Sequence, residues 1–162
     1  MSISSNKKVL ICFGEGGHAA QANRLVNHLL SKSGDIDFIS ISDVKKKPAW
    51  SKEHYVVSEV RDKYSYLQTI CNFSFIFFFK IIRKISNDNN VECVISTGPG
   101  ISVLVAFYFR AIGVKVIHVE TWSRFETKSF TGRVMYLLAN KFYVQNKSLL
   151  KLYKNSIYSG RL

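Results

Sequence analysis

A doubly wound α/β domain on a mainly parallel sheet is the fold class that this 162-residue sequence predicts. Three observations carry the prediction. Short, continuous apolar runs recur along the chain, as in strands covered on both faces. The segments between them place apolar residues at helical spacing. The two patterns alternate to the end of the chain, with no repeat period and no low-complexity stretch, which is the order of βα units. The length suits one domain over residues 1–162 with a proper core and is short for two.

The first run, Val9-Leu10-Ile11-Cys12-Phe13, reads as a buried strand ended by glycine. Gly14-Glu15-Gly16-Gly17 follows as a turn. Over residues 18–30, Ala22, Leu25, Val26, Leu29 and Leu30 recur at helical spacing, and Gly34 lies just past a helix end. Phe38-Ile39-Ser40-Ile41 is a second strand, residues 43–51 a basic loop containing Pro48, and Tyr55-Val56-Val57 a weaker third strand. Residues 66–85 are a long apolar helical segment. Residues 91–96 read as a buried strand ended by Thr97-Gly98-Pro99-Gly100, and residues 101–112 as an apolar helix stopped by Gly113. Residues 114–119 form a strand leading into Glu120. A short helix closes over residues 137–139, Phe142-Tyr143-Val144 is a last strand, and residues 148–153 are a last short helix. In open sheets of this kind ligands bind beyond the carboxyl ends of the strands. The loops at Gly14, Thr97 and Glu120 all fall there.

Composition narrows the partners. The chain carries 23 Lys+Arg against 11 Asp+Glu, a net charge of +12, which favours nucleic acid, acidic lipid or phosphate-bearing substrates. Nucleic acid has the least support. The basic residues are dispersed, no recognition motif is present, and the aromatics gather in one apolar segment instead of alternating with arginines. Cys12, Cys71 and Cys93 are widely spaced without a CxxC pair, which argues for reduced, buried thiols and against a disulfide framework or zinc site. Neither a metal nor a cofactor is expected. Residues 1–8 hold no apolar core of signal-peptide length, so secretion is not expected.

Four constellations are candidates for chemistry. Gly14-Glu15-Gly16-Gly17-His18 lies between a strand and a helix, where glycines let a ligand approach the backbone and the helix start offers N–H groups to a phosphate. It matches neither the dinucleotide fingerprint nor a P-loop, and a plain tight turn is the competing reading. His18 is placed to act as a general base or to bind an anion, or simply to cap the helix. Ser96-Thr97-Gly98-Pro99-Gly100 either lines a polar pocket or caps the next helix. In His118-Val119-Glu120-Thr121-Trp122-Ser123-Arg124, Glu120 can accept a sugar hydroxyl or act as a base, Trp122 can stack on a sugar, and Arg124 can pair with Glu120 or grip a phosphate. In residues 66–85 the uncharged part is short for a bilayer crossing. Phe75, Phe77, Phe78 and Phe79 followed by Lys80, Arg83 and Lys84 fit a helix lying in a membrane interface better than one buried in the core.

These residues, taken in order, resemble the Alg14-like family and its bacterial PssD-like relatives. The resemblance rests on Gly14-Glu15-Gly16-Gly17-His18, Thr97-Gly98-Pro99-Gly100, Val119-Glu120-Thr121-Trp122-Ser123-Arg124, Lys128-Ser129-Phe130-Thr131-Gly132-Arg133, Phe142-Tyr143-Val144-Gln145 and Tyr158-Ser159-Gly160-Arg161-Leu162. It implies a Rossmann-like domain, the N-terminal half of a GT-B glycosyltransferase, similar to the first domain of MurG. In this family that half is a separate protein. It holds a lipid-linked acceptor at the membrane and recruits a second, catalytic subunit carrying the UDP-sugar site. Eukaryotic members have an N-terminal membrane anchor; none is expected here, as in the bacterial members, so residues 66–85 would supply attachment. Asn146 stands where the family often has tryptophan.

The resemblance also implies a mechanism and a setting. A polyprenyl-diphosphate-linked saccharide would present its diphosphate to Gly14, Gly16, Gly17, Thr97, Gly98, Gly100 and Arg124, and His18 or Glu120 would deprotonate the sugar hydroxyl. Transfer would be metal-independent and would need both chains. The setting would be the cytoplasmic face of the inner membrane, held peripherally, in a capsule, exopolysaccharide or O-antigen pathway. The alternative is a non-catalytic membrane anchor and activator of a separate catalytic subunit.

Overall fold

The computed structural model describes residues 8–32, 36–57 and 74–162. Seven strands form one sheet: β1 (Lys8–Cys12), β2 (Asp37–Ser42), β3 (His54–Val56), β4 (Val91–Ser96), β5 (Lys115–Val119), β6 (Lys141–Val144) and β7 (Ile157–Tyr158). Their spatial order is β3-β2-β1-β4-β5-β6-β7, and every neighbouring pair is parallel. The helices are α1 (Gly17–Lys32), α2 (Ser74–Asp88), α3 (Ile101–Ala111) and α4 (Phe130–Leu138), with a 3-10 turn at Lys147–Lys151. The Rossmann-like α/β class read from the sequence is the observed one.

The strand order contains one reversal. From β1 the chain moves outward through β2 to β3, then returns so that β4 lies on the other side of β1. Right-handed crossovers put the helices of the two directions on opposite faces. Accordingly α1 packs Ala22 and Val26 against Ile11, Phe13 and Phe38 on one face. On the other face α2, α3 and α4 contribute Phe78, Ile82, Ile85, Val105, Phe109 and Met135 to a larger core over Leu10, Val94 and Val116. The reversal opens a crevice between the loops that follow β1 and β4, the place where such sheets take ligands.

Several boundaries differ from the sequence reading for local reasons. The third helix stops at Ala111, one residue earlier than expected, because Gly113 takes φ +86 and closes it in the left-handed region. The last helix is a single 3-10 turn. Strand β7 has two residues, too few to leave a period in the sequence. Residues 66–73 of the long apolar segment, and Cys71 within it, lie outside the described residues, as do residues 1–7 and Gly34. Cys12 is buried, and burial pushes its thiol up to about 12. Cys93 is partly buried, so the expectation of buried thiols holds fully for Cys12 alone of the two described.

The phenylalanine run of α2 divides between core and solvent. Phe78, Ile82 and Ile85 share one helical face and are buried, so Phe78 belongs to the core and is corrected as a membrane contact. Successive helical residues are turned by about 100°, which leaves Phe77 62% exposed, with Phe79, Lys80, Arg83 and Lys84 also exposed. The side chain of Phe75 lies outside the described set. Phe78→Ala is therefore expected to lower unfolding stability by ~3–5 kcal/mol, and Phe77→Ala to change it by no more than ~0.5 kcal/mol. Guanidinium unfolding of both variants checks this.

Candidate functional site

Two loops meet at the crevice. After β1, the chain passes Phe13 and Gly14 into a turn at Glu15 and Gly16, where Gly16 takes φ +65, and α1 begins at Gly17. After β4, Thr97 to Gly100 lead into α3, with Gly98 at φ +91 and a cis Gly98–Pro99 peptide. The loops fit closely enough to exclude side chains at two points. A Cβ on Gly14 would lie 2.7 Å from the Pro99 ring, and a Cβ on Gly98 would lie 2.6 Å from the His18 ring. The Thr97 N–H donates to the Cys12 carbonyl at 3.1 Å. The Thr97 hydroxyl donates to the His18 carbonyl at 3.1 Å.

In return, His18 Nδ1 meets the Thr97 carbonyl oxygen at 2.5 Å. A carbonyl can only accept, so Nδ1 carries the proton. In the neutral ring Nε2 then keeps its lone pair, and it has no hydrogen-bond partner among the described residues. Around this histidine Gly16, Gly17 and Gly100 border open space. Helices α1 and α3 both begin here, neither has an acidic residue in its first turn, and α3 has no side-chain cap. In α3 the first-turn N–H groups of Ser102 and Val103 donate to the Pro99 and Gly100 carbonyls at 2.9 and 3.1 Å, and what the two helix starts offer this edge is the partial positive charge of each dipole. The structure thus brings together Gly14, Gly16, Gly17, His18, Thr97, Gly98 and Gly100.

Glu120 is placed differently from the expectation. It follows β5 at the same edge, but its side chain is only 3% exposed. Its carboxylate accepts from the Ser129 hydroxyl at 3.1 and 3.2 Å, the Tyr153 hydroxyl at 3.0 Å and the Thr121 N–H at 3.1 Å. Ser129 is also the N-cap of α4, accepting from the Gly132 N–H at 2.7 Å. A Cβ on Gly132 would fall 1.8 Å from Glu120 Oε2, so only glycine leaves room for this carboxylate. Burial, and then the charge of Glu120, push the Tyr153 phenol well above its usual range. Glu120 therefore ties the end of β5 to α4 and to Tyr153. Its oxygens are spent on internal donors, which corrects the reading of Glu120 as a base or a sugar ligand.

Arg124 is exposed and donates to the Thr127 hydroxyl at 3.3 Å; no ion pair joins it to Glu120 among the described residues. Trp122 lies under the Arg24 guanidinium at 4.9 Å. Asn146 donates to the Trp122 carbonyl at 2.9 Å and to the Arg124 carbonyl, holding that loop against the end of β6. The roles of Ser129, Gly132, Tyr153 and Asn146 were not assigned from the sequence. Only Ser129, a hydroxyl residue just before an apolar helix, carried a recognisable signal, that of an N-cap. Among the described residues no group of three or more His, Cys, Asp or Glu side chains is placed to hold a metal ion.

The outer surface of the α2–α4 layer is apolar and basic. Phe130 and Leu137 of α4 are each 83% exposed, and Phe107 of α3 and Ile76 and Phe77 of α2 are also exposed. Lys80, Arg83, Lys84, Arg110 and Arg133 are exposed on these helices, whose sole acidic residue is Asp88 at the end of α2. No described helix is long and apolar enough to cross a membrane.

Behind the two loops lies His118, buried, with Nδ1 3.1 Å from Ser96 Oγ. Burial, and then the nearby His18, push its imidazole down to about 3 from 6.5. Between those values the unfolded chain takes up a proton that the folded chain refuses. This contribution to stability is fully present above pH 6.5 and is lost as pH falls through the window, at up to ~1.4 kcal/mol per pH unit. His118→Phe should show a shallower loss of stability between pH 6.5 and 4 than the parent chain, read from denaturant midpoints at each pH.

Comparisons with known proteins bear on the family and the fold. A family model described as "Oligosaccharide biosynthesis protein Alg14 like" matches residues 9–162. The rat UDP-N-acetylglucosamine transferase subunit ALG14 is 27% identical over 183 residues, covering 95% of this chain and 82% of the rat protein. The Candida albicans subunit of the same name is 26% identical, covering 99% and 83%. Among solved structures, MurG of Acinetobacter baumannii superposes with a TM-score of 0.63 at 14% identity, over 96% of this chain and 44% of MurG. A UDP-GlcNAc 2-epimerase from Methanocaldococcus jannaschii does so with 0.63 at 14%, over 95% and 45%. The chain spans less than half the length of these two proteins, and the likeness to them is one of fold, that of one half of a GT-B architecture. On the match across residues 9–162, the chain belongs to the Alg14-like family of oligosaccharide biosynthesis proteins.

Proposed function

We propose that this chain is the acceptor-binding subunit of a two-chain UDP-sugar glycosyltransferase acting on a polyprenyl-diphosphate-linked saccharide, and that it is inactive without the subunit carrying the nucleotide sugar. The observation that carries the reading is the crevice beside β1 and β4. Two helix starts without first-turn carboxylates and glycines bordering open space suit a diphosphate, and His18 stands between them with Nε2 unpartnered among the described residues. Relatives named as UDP-N-acetylglucosamine transferase subunits support the donor class and the need for a partner. A sugar hydroxyl held near His18 Nε2 gives its proton to that nitrogen as its oxygen bonds to the anomeric carbon presented by the partner, while the bond from that carbon to the diphosphate breaks and UDP leaves on the partner's side. The fixed tautomer keeps that lone pair available.

The reading extends to a membrane. The outer surface of α2, α3 and α4 offers aromatic and leucine side chains beside five basic residues, the composition of a peripheral contact with anionic lipid at the cytoplasmic face. That contact would bring the crevice to a substrate whose chain lies in the bilayer.

Two measurements test this. In the reconstituted pair, His18→Ala is expected to lower turnover by about 10²–10⁴ while binding of the partner subunit persists. Unaltered turnover would remove the catalytic role and leave the chain as an anchor and activator. Replacing Lys80, Arg83 and Lys84 together with Gln is expected to weaken binding to phosphatidylglycerol vesicles by roughly a hundredfold at low salt, from about 1 kcal/mol per basic residue. Equal binding of both proteins to those vesicles would overturn the membrane reading.

A further inference from the structure

The buried pair Ser96 and His118 has no part in the scheme above, yet it touches the peptide group that holds His18. The Thr97–Gly98 peptide is engaged at both ends. Its carbonyl accepts from His18 Nδ1 at 2.5 Å, and its N–H, on Gly98, donates to Ser96 Oγ at 3.2 Å. Ser96 Oγ lies 3.1 Å from His118 Nδ1. Both side chains are buried, and His118 Nε2 has no partner among the described residues.

The direction of these bonds follows from counting hydrogens. Ser96 has one hydroxyl hydrogen, and its oxygen already accepts from Gly98. If that hydrogen points to His118 Nδ1, the one group left unmet is the Nε2–H. If His118 donates instead, both the serine hydrogen and the Nε2 lone pair go unmet. Buried polar groups are costly to leave unpaired, so the first arrangement is favoured. Burial also keeps His118 neutral, with a lone pair to offer.

We propose that Ser96, backed by His118, is a positioning residue for His18: it fixes the Thr97–Gly98 peptide so that the carbonyl holds His18 in the tautomer with Nε2 free. Each donor in the chain also accepts, so the bonds polarise one another in one direction, from the His18 N–H to the Thr97–Gly98 peptide to the serine hydroxyl to the His118 ring. The Thr97 carbonyl thereby does the work that a carboxylate does behind many catalytic histidines. The close approach of Gly98 to the His18 ring adds a steric wall on the same side. This inference rests on the reading of His18 as the base, and the experiment separates the two.

The test is Ser96→Ala, with His118→Phe as a second variant that keeps a ring in the core. Long-range proton–nitrogen NMR of the full chain at neutral pH reads the His18 tautomer, and the reconstituted pair reads kcat and KM. The expected result is an Nδ1–H tautomer in the parent chain, a shift towards Nε2–H in Ser96→Ala, and kcat lower by about tenfold with KM little changed, the worth of about one buried hydrogen bond. His118→Phe should shift the tautomer less, and Ser96→Thr, which keeps the hydroxyl, should restore it. An unchanged His18 tautomer in a folded Ser96→Ala chain overturns the proposal even if His18→Ala abolishes turnover. A shifted tautomer in Ser96→Ala, with full turnover in His18→Ala, would support the positioning role while removing the catalytic one.

Discussion

The reciprocal hydrogen bonds between Thr97 and His18 are the constraint on which the site depends. They join two loops that are far apart in sequence and adjacent in space only because the strand order reverses between β1 and β4. With the loops locked, the starts of α1 and α3 face the same opening, and an imidazole is held in one tautomer between them. A parallel sheet supplies such a crevice wherever its direction reverses. In this chain glycine at positions 14 and 98 lets the two walls approach to contact, since a side chain at either would strike the opposite loop.

Glu120 shows how the same edge of the sheet divides between chemistry and construction. Its carboxylate is buried among three donors, and burial of a charge is tolerable only when its lone pairs are engaged. The arrangement ties together β5, the cap of α4 and the segment around Tyr153. An isolated carboxylate at a strand end is ambiguous in sequence; the hydroxyls of Ser129 and Tyr153 decide its role.

The handedness of parallel crossovers has a consequence for the surface. Because β3 to β4, β4 to β5 and β5 to β6 all advance in one direction, their helices share one face of the sheet. Their inward stripes build the larger core, and their outward sides gather apolar and basic residues almost without carboxylates. A chain with a net charge of +12 thus concentrates part of that charge where aromatic side chains are exposed.

The amino-acid order alone determined the alternation of strands and helices, the glycine turns that end β1 and β4, and the family resemblance that they carry. Periodicity and turn chemistry are local properties, and each is complete within a dozen or so residues. What lay beyond reach was decided by partners distant along the chain. Glu120 meets Ser129 nine residues away and Tyr153 thirty-three residues away. Phe78 differs from Phe77 only in which side of a helix faces the sheet, and strand β7 exists only because β6 offers it an edge. The tautomer of His18 is set by a carbonyl seventy-nine residues on. Each of these outcomes is a hydrogen bond or a burial whose second member is supplied by the closed sheet, and a linear pattern holds no record of it.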